Sequence, residues 1–159
     1  MLLRRSLLKS ELSGMGAIPA LGLGIVSGGV ALLAVLPQLD GAPLAWPTYR
    51  PSALGLTAAV LTAAFVNAVA EEGLWRWALY FGHAPVGLVF VGQTVSFGIA
   101  HRHGIPGGTV GVGLAMLYSA VVVSVRRHWG LAASVCCHFG SDVVIFAAVA
   151  MTSIFLPSY

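Results

Sequence analysis

The stretch Leu61-Thr62-Ala63-Ala64-Phe65-Val66-Asn67-Ala68-Val69-Ala70-Glu71-Glu72-Gly73-Leu74-Trp75-Arg76 sets two adjacent glutamates and an arginine inside an apolar run. The chain has only five acidic residues, so two of them fall where lipid or buried protein is expected. A charge at the centre of a membrane helix costs about 2.5–3.5 kcal/mol even on the gentlest insertion scales. Glu71, Glu72, Arg76 and Asp142 would together cost on the order of 10 kcal/mol if unpaired. Ionisable groups kept inside a bilayer at that cost mark a functional site by default.

The bilayer itself is implied by composition. Of 159 residues, 58% are hydrophobic and 8% charged, with mean hydropathy +0.91. A soluble domain carries about 25% charged residues. The chain therefore reads as an integral membrane protein, and without water its backbone must satisfy itself as helices or a closed barrel. The apolar runs are of helical length, which predicts an all-α polytopic bundle. The length suits one membrane domain, residues 1–159, with no separate soluble module.

Five spans are predicted, over residues 15–36, 52–80, 86–101, 109–125 and 131–156, the third being short. The first exceeds the 7–15 residues of a signal-peptide core and reads as an uncleaved anchor. Before it, Leu2, Leu3, Leu7, Leu8 and Leu12 alternate with Arg4, Arg5, Lys9 and Glu11 as an amphipathic segment on the membrane surface. Pro37, Asp40, Gly41, Pro43, Pro47 and Pro51 predict a loop, with Trp46 and Tyr49 suited to an interfacial belt. Arg4, Arg5, Lys9, Arg126 and Arg127 against Arg50 and Arg102 predict a cytoplasmic amino terminus and an outside carboxyl terminus. The net charge of +3 forms no patch with interleaved aromatics, which argues against nucleic-acid binding. Gly24-xxx-Gly28 and Gly107-xxx-Gly111 suit close helix packing. Cys136 and Cys137 are adjacent and read as small packing residues.

Three polar clusters lie inside spans: Glu71-Glu72-x-x-x-Arg76, Phe97-x-x-x-His101 and His138-x-x-x-Asp142. Residues four apart share a helix face, so Glu72 is set to pair with Arg76 and Asp142 with His138. Glu71 points about 100° away from Glu72 and is free to face elsewhere, with Asn67 one turn back as its expected hydrogen-bond partner. At about 1.5 Å per residue, Glu71 and His138 come out at matching depths, roughly 13 and 12 Å, and His101 deeper at roughly 24 Å unless its helix starts late or tilts. A carboxylate and an imidazole converging on one water give general-base catalysis. A second imidazole with a donor beside it stabilises the oxyanion formed when water attacks an amide. Such a set suits peptide hydrolysis without a covalent intermediate.

These motifs, in this order on successive membrane helices, resemble the CPBP family of type II CAAX prenyl endopeptidases and bacteriocin-processing or self-immunity proteins. Arg126-Arg127-His128-Trp129-Gly130-Leu131 resembles the basic turn before that family's last histidine helix, so the resemblance spans residues 61–147, the expected catalytic core. It implies a glutamate-dependent intramembrane endopeptidase in which Glu71 and His101 activate water while His138 and Asp142 form the oxyanion pocket. Glu72, Arg76, Asn67 and Phe97 would support the site. This chain has Asp142 where the prenyl endopeptidases carry Asn; an ionised aspartate cannot donate to an oxyanion, so Asp142 must be protonated, orient His138 or bind metal. Its short length is closer to small bacterial members resembling sorting-signal proteases, which implies a plasma-membrane location and a membrane-anchored protein or peptide substrate cut near its carboxyl terminus.

Other readings stay open at this point. Glu71, His101, His138 and Asp142 are ligand types that zinc accepts, although no His-Glu-x-x-His is present and no cofactor is expected. A non-hydrolytic immunity protein could use the same pocket for binding. A proton or metal carrier would use buried Glu and His as a relay, but five helices without an evident repeat argue against a transporter. Ser141 lacks a Gly-x-Ser-x-Gly elbow. His83, His103 and His128 read as solvated, and Trp75 and Trp77 as packing or interfacial residues rather than substrate contacts.

Overall fold

The computed structural model describes residues 16–39, 52–78, 85–104 and 107–155, all helical apart from short turns and caps. Helix α1 is Ala17–Leu39, α2 is Ala53–Glu71, α3 is Val86–Ala100, α4 is Gly108–Trp129 and α5 is Leu131–Phe155. A π-helical segment, Glu72–Ala78, continues α2, and a 3-10 turn, His101–His103, follows α3. No strand occurs among the described residues. The amino-terminal amphipathic segment, Trp46, Tyr49 and His83 lie outside the described residues.

Among the described residues, four stretches are long and apolar enough to cross a bilayer: Ala17–Ala34, Ala53–Ala78, Gly108–Trp129 and Leu131–Met151. The short third span forms as α3, but 15 residues cover only about 22 Å of a hydrocarbon core of about 30 Å. Two boundaries differ from expectation. α1 runs through Pro37 to Leu39, because a proline in the last turn removes only one helical hydrogen bond. α4 extends past Val125 to Trp129, so Arg126 is a buried helical residue and not part of a loop.

Local chemistry explains the remaining ends. Ser52 caps α2, its hydroxyl accepting from the Gly55 N–H at 3.1 Å. Gly130 alone joins α4 to α5, at φ +86°, a conformation that favours glycine. Its N–H bonds the Arg126 carbonyl at 2.8 Å while its own carbonyl accepts from Ser134, so one residue closes one helix and opens the next.

α5 sits centrally, packed by α1, α2 and α4, while α3 lies on α4. Against α1 the backbones nearly touch. A Cβ on Gly28 would lie 2.8 Å from the Ser141 carbonyl oxygen, and one on Gly140 2.6 Å from that of Leu21. A Cβ on Gly24 would overlap the Cys137 carbonyl. The Gly24-xxx-Gly28 pattern is thus a real helix seam. Gly107 precedes α4 and faces the 102–104 turn, so the second pattern is not one. Ala20, Val122, Val125, Ala133 and Cys137 form the buried apolar cluster between α1, α4 and α5, with Cys136 packed on its edge. Both cysteines are free thiols.

Candidate active site

α2, α3 and α5 each deliver polar side chains to one place. Glu71 ends the α-helical part of α2, and Glu72 opens the π segment. A π segment closes its hydrogen bonds from i to i+5, and such segments recur at functional sites. Here it buries Glu72 and Arg76 together while leaving Trp77 exposed. Gly73, second in the segment, has open space beside it.

Glu72 and Arg76 are both fully buried, with Arg76 Nη1 3.5 Å from Glu72 Oε1. Arg76 Nη2 donates to Ser119 Oγ on α4 at 2.8 Å, and its guanidinium lies 4.4 Å over the Phe97 ring. The predicted Glu72–Arg76 pair therefore forms, but it has partners that spacing along one helix does not reveal. Glu72 Oε1 also lies 2.8 Å from His138 Nδ1. A carboxylate only accepts, so that ring nitrogen carries the proton and donates it to Glu72.

His101 is fixed in the same way. Its Nδ1–H donates to the Phe97 carbonyl one turn back, at 2.8 Å, and its ring stacks on that of Phe97, centroids 4.2 Å apart. Trp75 meets Phe97 edge-on at 5.9 Å. Tyr118 and Phe97 both present ring edges to His138, at 5.4 and 6.1 Å. With both Nδ1 atoms engaged, the two Nε2 atoms turn toward a third group. Glu71 Oε2 lies 3.7 Å from His101 Nε2 and 3.6 Å from His138 Nε2. These separations exceed a direct hydrogen bond and match a bridging water. Glu71 Oε2 has no hydrogen-bond partner among the described residues, so it is available to such a water.

The depth mismatch of His101 closes in the structure. The histidine lies level with Glu71, because the short α3 ends at the site and does not run past it. The expected Asn67–Glu71 bond is corrected. Asn67 Nδ2 donates instead to Asp142 Oδ2 on α5 at 3.0 Å, since Glu71 turns to the imidazoles. Asp142 Oδ1 stands 3.7 Å from His138 Nε2. His103 and His128 are exposed.

Exposure divides the set. Glu71 is 23% and His101 34% exposed, whereas His138 is 3% and Glu72 0%. The open side of the site is thus lined by Glu71 and His101, and its back wall by Glu72, Arg76 and His138. Spacing along single helices does not reveal Ser119 and Tyr118 as neighbours. The adjacent polar pair Tyr118-Ser119 in the apolar α4 was the available signal. Among the described residues, no group of three or more His, Cys, Asp or Glu side chains is arranged to hold a metal ion.

The geometry meets an independent comparison. The family model for Type II CAAX prenyl endopeptidase Rce1-like proteins matches residues 53–144, from the first residue of α2 through the His138–Asp142 face of α5. No curated protein and no solved structure gave a significant match. With more than half of its length matched, and with apolar helices that make it an integral membrane protein, the chain belongs to the type II CAAX prenyl endopeptidase Rce1-like family of proteases.

Proposed function

We propose that this protease hydrolyses a peptide bond of a membrane-anchored protein, near the substrate's carboxyl terminus, by a water activated on Glu71. The observation that carries the reading is the approach of Glu71 Oε2 to two imidazole Nε2 atoms at 3.6–3.7 Å. Because His101 donates through Nδ1, its neutral ring offers the Nε2 lone pair to that water. That water gives a proton to Glu71 as its oxygen attacks the scissile carbonyl, and Glu71 returns the proton to the leaving amine. His138 enters the reaction protonated on both nitrogens and keeps both protons throughout, donating Nδ1–H to Glu72 and Nε2–H to the oxyanion. Arg76 and Ser119 hold Glu72 so that His138 keeps this orientation.

Substrate enters from the side where Glu71 and His101 are exposed. The protein resides in a bacterial plasma membrane with its amino terminus in the cytoplasm, as the loop charges favour. Glu71→Gln keeps the shape of the side chain and removes the base. Cleavage of a membrane-anchored reporter should fall by about 10²–10⁴-fold, while membrane insertion is unchanged. Full activity in that variant would sink the proposal. Protection against a bacteriocin that outlasts both Glu71→Gln and His138→Ala would point to a binding protein instead. Exhaustive chelation should leave cleavage intact; loss of cleavage that zinc restores would transfer the reaction to a metal.

A further inference from the structure

Asp142 is an acceptor facing a reaction that needs donors, and the residue bonded to it supplies what it lacks. α2 and α5 run antiparallel through the site, and two polar rungs join them. Glu71 faces His138, and one turn away Asn67 faces Asp142. The rungs are separated by four residues on each helix, about 6 Å along the axis, so both fall on the same shared face. Asn67 Nδ2 gives one hydrogen to Asp142 Oδ2 at 3.0 Å, and the other carboxylate oxygen stands 3.7 Å from His138 Nε2. A carboxylate in this position can only accept. The amide of Asn67 has a second N–H, and among the described residues it makes no other hydrogen bond. Asp142 is buried, and Asn67 is only partly so, which keeps that second N–H reachable.

We infer that Asn67 and Asp142 act as one unit, in which Asp142 orients the amide and Asn67 donates the neutral hydrogen bond to the oxyanion. This rests on the hydrolytic reading above. Asp142 is then a positioning residue, and its acceptor character serves the site by selecting the N–H face of Asn67 over its carbonyl face.

The test uses full-length protein in bilayers and a quenched fluorescent reporter with one apolar membrane helix and a carboxy-terminal tail. The reporter is one that wild type cleaves and Glu71→Gln does not. Asn67→Ala should lower kcat by about 100-fold to 1,000-fold, the usual effect of removing one oxyanion donor. KM should stay within about threefold, since the bond is made only in the transition state. Asn67→Asp sets two acceptors face to face and should lose as much. The exchanged double variant, Asn67→Asp with Asp142→Asn, rebuilds one donor and one acceptor and should regain kcat to within about tenfold of wild type. An Asn67→Ala enzyme within about threefold of wild-type kcat overturns the inference. So does an exchanged variant that melts like wild type yet cleaves no better than Asn67→Asp. Should Asn67→Ala not insert, the exchanged pair decides alone. A wild type that cleaves no reporter refutes the hydrolytic reading itself, and the inference falls with it.

Discussion

Helix α5 has two neighbours that solve opposite problems. Toward α1 it presents Gly140 and the backbone of Cys137 and Ser141, met by Gly24 and Gly28 so closely that a methyl group would not fit. Toward α2 it presents His138 and Asp142, met by Glu71, Glu72 and Asn67. The first seam is held by dispersion between close backbones, which is what drives helix association in lipid. The second is propped open by long polar side chains that are costly to desolvate. Stability and chemistry thus sit on different faces of one helix, one residue out of phase and about 100° apart: Cys137 and Ser141 on one, His138 and Asp142 on the other. The glycine seam holds α5 firmly enough for its other face to carry charge.

That contrast can be broken from either side. Arg76→Ala should do the most damage, because it leaves Glu72 fully buried with only His138 as partner. Breaking a buried pair costs about 3–5 kcal/mol, so the melting temperature in detergent should drop sharply. An unchanged melting temperature would show that His138 alone compensates Glu72. Gly24→Ala should cost less, about 1–3 kcal/mol, as overpacking at a tight contact does. It should also lower cleavage only through lost stability. Gly22→Ala, two residues away with open space at its Cβ position, is the control. It should stabilise by about 0.5–1 kcal/mol through helix propensity. Equal effects at Gly22 and Gly24 would erase the distinction between seam and lipid face.

Much of this could be read in the linear chain. Apolar runs of helical length, with charge scarce outside their ends, require membrane helices, and the five predicted spans correspond to α1–α5. The three spaced motifs named Glu71, Glu72, Arg76, His101, His138 and Asp142, because four-residue spacing fixes which groups share a face. Partners across helices were not readable. Asn67 was paired with Glu71 on spacing alone, yet it bonds Asp142, 75 residues on, because antiparallel packing sets a second rung there. The link from Glu72 to His138 was missed for the same reason. Counting along the chain puts His101 deeper than Glu71, a mismatch that only the packing of the short α3 removes.

The sequence by itself determined the solvent, the helices and the identity of the ionisable groups, because those follow from transfer energies and from periodicity within a segment. Only the tertiary structure decided who faces whom. A π segment that turns Glu72 and Arg76 inward, a glycine seam that seats α5, and a third helix that stops at the site are products of packing between segments. The Nδ1 hydrogen bonds of His101 and His138 follow from that packing, and they direct both Nε2 atoms at Glu71.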